Sequence, residues 1–256
     1  MPPSPHHIVL SPSTPSELLQ YIISHHRYPT TILIGWPKQT FIEGLVEDVA
    51  LQLSLQQDPS SATTAAAAAA AAAAVSENSK ENRIETESSD NPSSSLHPLQ
   101  RKTLLQTAIS RHIRLLFVPS TTHLRAYLGT FSASESKIPP PILSDLDDSD
   151  PRCKTETPLL LVYGFLELHR EGTEWSAQGI GTTAAYLVEA AARNSFRAAV
   201  AEPRGARGHQ LLDDFLDEKV PVLSGTAVRD DGSWSGRTVP VRAVLSRWFE
   251  FEQDEK

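Results

Sequence analysis

Two hydrophobic periods alternate along this chain, and the clearest block lies between Pro158 and Pro203. Leu159, Leu160, Leu161, Val162 and Tyr163 form an unbroken apolar run, the pattern of a strand covered on both faces and therefore of a parallel sheet. Gly164 ends the strand or bends it. Beyond a polar loop over 171–178, Ile180, Ala184, Leu187, Val188 and Ala191 recur at helical spacing, while Thr182, Glu189 and Arg193 are left for the wet side. Residues 197–202 supply a second short strand, and Pro203 stops its ladder because it has no N–H to donate. Strand, helix and strand in this order predict a right-handed parallel crossover.

The same reading extends to both sides. Ser13, Thr14 and Ser16 offer helix caps ahead of the stripe Leu18, Leu19, Ile22 and Ile23, so 13–26 is a helix expected at the sheet edge. The β-branched run 30–34 is a buried strand. Residues 35–40 are a tight loop entering a helix in which Phe41, Leu45, Val49 and Leu53 recur every four residues. A helix from about residue 99, using Leu104, Leu105, Ala108 and Ile109, leads into a strand over 113–118. Ser120 and its threonine neighbours then cap a helix bearing Leu124, Tyr127 and Leu128. Past Pro203 come a basic, glycine-spaced loop over 204–208, a short helix over 209–216, a strand over 220–223, and late strands over 238–245 and 247–251. The whole predicts one α/β domain over 1–256, a three-layer, doubly wound and mostly parallel sheet. Two stretches interrupt it. Residues 58–98 hold ten consecutive alanines and then a Ser/Glu/Asn-rich run, and 132–157 is rich in Pro, Ser and Asp; neither carries an apolar face, so both read as disordered insertions.

Composition narrows the function. The formal net charge of −8 argues against coating nucleic acid through bulk positive charge and leaves room only for a local basic patch. The single cysteine, Cys153, allows neither an intramolecular disulfide nor a cysteine-based zinc cluster, which suits a reducing compartment. The first residues lack the basic-then-apolar pattern of a signal peptide, and no run reaches the 18 or so apolar residues of a membrane span. No membrane partner is expected.

Several residue groups invite a chemical reading. The loop after the first confident strand, with Gly35, Lys38 and Thr40, stands where P-loop proteins hold phosphate, a task that needs Gly-x-x-x-x-Gly-Lys-Ser/Thr. Counted from Gly35, the lysine position is Phe41 and the hydroxyl position Ile42, and Lys38 arrives three residues early. Only weak attraction of an anion such as ATP by Lys38 and the helix N-terminus remains. Tyr163 occupies the strand-end position where nucleotide-binding proteins carry a magnesium-holding Asp, and Glu167 and Glu171 lie beyond the strand. No cofactor and no catalytic residue are expected. Gly179 and Gly181 follow a long loop and read as helix-entry packing rather than a dinucleotide fingerprint. Trp175 is either a contact residue or a hydrophobic staple. The pairs His6-His7 and His25-His26 lack a third metal ligand, and the groups His169 with Glu167 and Glu171, or Ser176 with His209 and Asp213, have no nucleophile elbow to support them. Arg204 and Arg207, on a loop following a strand, suit contact with a polynucleotide backbone.

The order of segments resembles a RecA-type ATPase core, especially the small, divergent recombinase paralogues such as the RecA-like partner of the SWIM-domain protein in the Shu complex. The resemblance runs through Thr31-Ile-Leu-Ile-Gly-Trp-Pro, Ile113-Arg-Leu-Leu-Phe-Val-Pro-Ser-Thr-Thr, Pro158-Leu-Leu-Leu-Val-Tyr-Gly-Phe-Leu-Glu and the helix and strand that follow. It implies a RecA-like P-loop fold whose diagnostic Gly-Lys-Thr and Asp are missing, hence a non-catalytic subunit. It further implies a nuclear role in homologous recombination, helping a recombinase assemble on single-stranded DNA, with a SWIM-domain protein or another recombinase paralogue as partner. Degenerate RecA-like subunits of the Elongator tRNA-modification assembly are the alternative, and an active P-loop ATPase with an atypical loop is a third reading.

Overall fold

The computed structural model describes residues 6–25, 29–57, 107, 110–136, 158–204, 212–223 and 236–252. A six-stranded sheet runs β3–β2–β4–β5–β1–β8, where β1 is Ile8–Val9, β2 Thr30–Ile34, β3 Ile113–Phe117, β4 Leu159–Tyr163, β5 Arg197–Ala201 and β8 Glu250–Phe251. Every pairing in it is parallel. A separate antiparallel ribbon joins β6, Lys219–Pro221, to β7, Thr238–Pro240.

Strand periodicity sorts the core into two layers. In β4, Leu160 and Val162 point to one face and Leu159, Leu161 and Tyr163 to the other, because successive side chains alternate across a sheet. On the first face they meet α3 (Thr121–Thr130), α4 (Phe165–Arg170), α5 (Ala177–Arg193), α6 (Leu212–Leu216) and α7 (Val241–Leu245), through residues such as Leu124, Phe165, Leu187, Phe215 and Val241. On the second they meet α1 (Pro15–His25) through Leu18 and Ile22 and α2 (Lys38–Gln57) through Phe41. Helices therefore cover both faces, and β2 and β4 are buried along their full length.

The expected strands 30–34, 159–163 and 197–201 and the helix over 180–193 are all present. Several expectations change, among them the late strand over 247–251, which is reduced to Glu250–Phe251 after a turn over 246–248. The first helix lies on a sheet face, with Ile22 against the layer that holds Ile32 and Leu161, rather than at the edge. Lys38 and Thr40 belong to the first turn of α2, so the loop after β2 is only Gly35-Trp36-Pro37. Val241–Leu245 is a helix, because Pro240 starts it and Val241, Val244 and Leu245, spaced for one helical face, are all buried there. Ala133–Ser136 forms a 3₁₀ turn held by the Asn194 side chain, which accepts from the Ala133 amide at 2.7 Å; ordered chain thus extends into the stretch read as an insertion. The helix expected near Leu104, the insertion over 58–98 and the remainder of the second one, 137–157, lie outside the described residues.

The order in which strands are added reverses at the centre. From β2 the chain moves outward to β3, then returns across β2 to β4. Such a reversal opens a crevice at the carboxyl ends of the two strands, the place where open parallel sheets receive ligands.

Candidate functional site

That crevice holds the loop Gly35-Trp36-Pro37 on one side and Gly164 with the start of α4 on the other. Gly35 is pressed against its neighbour: its N–H donates to the Tyr163 carbonyl at 2.8 Å, and a Cβ there would sit 2.9 Å from the Gly164 carbonyl oxygen. The amide that would begin a phosphate cradle is thus engaged by the adjacent strand. Gly164 adopts φ +78°, a left-handed conformation that turns β4 directly into α4. Its N–H donates to the Ala201 carbonyl at 2.9 Å, tying the turn to β5.

Aromatic packing fills the interior of the crevice. Tyr163 is fully buried, with Trp36 and Phe41 edge-on to its ring at centroid distances of 5.7 and 5.8 Å. Its hydroxyl donates to the Ser13 carbonyl at 2.9 Å. Burial, reinforced by the Glu202 carboxyl, pushes the phenol above its ordinary value, so it stays neutral and takes no role as an anionic metal ligand. The Trp36 indole N–H donates to the Glu167 carboxylate. Glu167 is thereby placed over the loop and away from His169.

Glu202, immediately after β5, is 2% exposed. One carboxyl oxygen accepts from the Leu166 N–H at 2.8 Å, and the other has no partner. Desolvation raises its pKa to about 8, against the lowering effect of that amide and of Arg170. Near neutral pH the group is an uncharged acid holding the first turn of α4.

The mouth of the crevice is a pocket of about 260 Å³ between α1 and α2. Thr14 and Glu17 form a reciprocal capping box: the Thr14 N–H donates to the Glu17 carboxylate at 2.9 Å and the Glu17 N–H reaches Thr14 Oγ1 at 3.4 Å. Asp48, buried on α2, accepts from Thr14 Oγ1 at 2.6 Å and from the Ser16 hydroxyl, stitching the two helices together. Glu43 and Glu47 stand beside it. Arg204 pairs with Glu17 and donates its backbone N–H to the Ser13 carbonyl at 3.1 Å. Lys38 and Thr40 are both exposed in the first turn of α2; Thr40 lines the pocket together with the carboxylates Glu43, Glu47 and Asp48, a charge that opposes a polyphosphate there by like-charge repulsion.

The remaining sequence-derived groups separate in space. His169 is buried in the other layer, its Nδ1 2.7 Å from the Phe165 carbonyl and its Nε2 2.9 Å from Thr183 Oγ1. Burial holds its pKa down to about 4, so it is a neutral core histidine. Ser176 caps α5 by accepting from the Gly179 N–H at 3.0 Å, while Asp213 pairs with Arg242. Gly179 is needed because a Cβ would collide with the Glu174 carbonyl. Trp175 packs against the core under the Arg170 guanidinium, 5.0 Å from its ring. Arg207 and His209 lie outside the described residues. Among the described residues no three His, Cys, Asp or Glu side chains are placed to hold a metal ion, and no helix is long and apolar enough to cross a membrane.

Sequence reasoning missed Asp48, Glu202 and Arg125. The last reaches from α3 to Glu174, Thr183 and the Gly179 carbonyl at 2.9–3.0 Å. None of the three has a local motif, because each acts through partners more than 30 residues away. Comparison with protein-family models, curated proteins and solved structures finds no match.

Proposed function

We propose that this chain is a non-catalytic, RecA-like subunit of a recombination-mediator complex, which supports recombinase assembly on single-stranded DNA. The observation that carries the non-catalytic part is the engagement of the crevice by the chain's own groups. The Gly35 amide binds the Tyr163 carbonyl, the Tyr163 ring fills the strand-end position, and the pocket beside Thr40 is lined by acids. A nucleotide site needs the opposite arrangement, with free amides, a positioned lysine and a strand-end carboxylate. The recombination part rests on the resemblance of segment order, supported by a parallel sheet in which the three quoted strands are neighbours.

Affinity purification of the full chain from nuclear extract tests this reading. Recovery of a SWIM-domain protein or recombinase paralogues supports it; recovery of Elongator subunits instead moves the chain to a tRNA-modification scaffold. Within the assembled complex, DNA contact falls to the loop containing Arg204 and Arg207. Because Arg204 is tied to Glu17, Arg207→Ala is expected to weaken single-stranded DNA binding more than Arg204→Ala, with a reduced salt slope measured by anisotropy. An equal or reversed order removes the loop from the interface.

A further inference from the structure

A second concave surface lies away from the crevice, between α5, the β6–β7 ribbon and α7. It is a groove of about 470 Å³. Ala177, Gly181 and Ala185, one helical turn apart on α5, line it with small side chains, and Val222 and Val239 come from the ribbon side. Val244 and Trp248 line it from α7 and the turn that follows. The Gln178 side chain holds the ribbon to α5 by accepting from the Leu223 N–H at 2.9 Å and donating to its carbonyl at 3.2 Å. The ribbon is thereby fixed as a wall. Large apolar side chains remain exposed: Trp248 in the lining at 37%, and, each next in sequence to a lining residue, Tyr186 at 42% and Leu223 at 58%.

Charge at one end of the groove is distinctive. Arg247 lines both the groove and an adjoining pocket of about 300 Å³ with His6, His7 and Glu250. It is exposed and, among the described residues, pairs with no carboxylate. The neighbouring arginines are engaged: Arg242 with Asp213 and Asp217, Arg170 with Glu218. Glu250, the acid in the adjoining pocket, accepts from His6 at 2.8 Å. In a chain of net charge −8, an apolar groove thus ends at a guanidinium that has no carboxylate partner among the described residues, beside two imidazoles.

We infer that this groove docks an amphipathic helix of a partner protein, with its apolar stripe laid along α5 and a carboxylate flank meeting Arg247. Small side chains along α5 let a second helix approach closely, and the exposed aromatic and aliphatic rim supplies anchors for a helix-in-groove contact. The cation selects an acidic flank over a basic one and fixes the polarity of docking. The inference does not depend on the recombination reading, since it rests on the groove and its charge alone.

The test uses the full chain and two labelled helical peptides, each with leucines at i, i+4 and i+7. One carries glutamates beside the stripe and the other lysines. Anisotropy titration is expected to show saturable binding of the acidic peptide, at least about tenfold tighter than the basic one. Arg247→Glu, a change at an exposed position that leaves the core intact, is expected to reverse that order. Ala185→Leu fills the groove and is expected to weaken the acidic peptide by tenfold or more. If neither peptide binds at about 1 mM, the weak end of measurable association, the inference is wrong. Equal binding of the two, or an unchanged preference in Arg247→Glu, overturns it as well. Self-association of the chain that Trp248→Ser abolishes would assign the groove to a second copy instead, and likewise overturn it.

Discussion

The crevice at the carboxyl edge of the sheet and the groove beside α5 are both concave, yet they are finished in opposite ways. In the crevice a series of polar groups pair within the chain: Gly35 with Tyr163, Tyr163 with Ser13, Trp36 with Glu167, Asp48 with Thr14 and Ser16, Arg204 with Glu17. In the groove, among the described residues, the apolar walls stand open and Arg247 pairs with no carboxylate. The difference teaches that position in a fold does not assign a site. The switch point between β2 and β4 is where parallel sheets receive ligands, and here that place is occupied by contacts that join α1, α2 and α4.

The largest effect that would sharpen this contrast is Tyr163→Asp, which introduces the residue type that a metal-binding strand end requires. It removes a buried aromatic and places a carboxylate where nothing is arranged to receive its charge, so a loss of about 4 kcal/mol or more is expected in urea unfolding. A variant that keeps wild-type stability and gains magnesium binding would show the crevice to be a dormant metal site. Asp48→Ala follows. It strands the Thr14 and Ser16 hydroxyls at a buried helix junction, and about 1–3 kcal/mol of destabilisation is expected from the same measurement.

A pH effect comes next. Glu202 has a folded pKa of about 8 against an unfolded value near 4.3, so its contribution is fully present below about pH 4 and is lost as pH rises through 8. His169 has a folded value of about 4 against about 6.5 unfolded, so its contribution is present above 6.5 and is lost as pH falls through 4. The two slopes oppose each other between about pH 4.5 and 6.5. Only the Glu202 slope remains from about 6.5 to 8, where stability is expected to fall. Glu202→Gln is expected to flatten that upper limb, as followed by thermal unfolding across pH. A limb that persists in the variant assigns the proton elsewhere.

What the sequence made legible follows from how locally each feature is determined. The strands β2, β4 and β5 are announced by apolar runs that need no partner to be recognised, and α5 by a stripe whose period admits one reading. The segment Val-Arg-Ala-Val-Leu is rich in β-branched residues and reads as strand; Pro240 and burial of Val241, Val244 and Leu245 make it a helix. β1 escapes notice because two residues among serines and prolines carry no period. That the loop around Gly35 lacks a P-loop motif, and that Tyr163 rather than Asp ends its strand, is visible in the sequence. The contacts made there instead are not, since Glu202 and Leu166 are separated by 36 residues and Asp48 and Thr14 by 34.

The smallest stability effect belongs to Arg204→Ala. Its pair with Glu17 is more than a third exposed on both sides, so a change of no more than about 1 kcal/mol is expected.

The proposal that the crevice is closed to nucleotide is tested most directly by titrating the purified full chain with ATP and magnesium in a calorimeter, alongside Lys38→Ala. The account predicts no saturable heat at millimolar ATP and no difference between the two proteins. Saturable, magnesium-dependent binding that Lys38→Ala abolishes would contradict it.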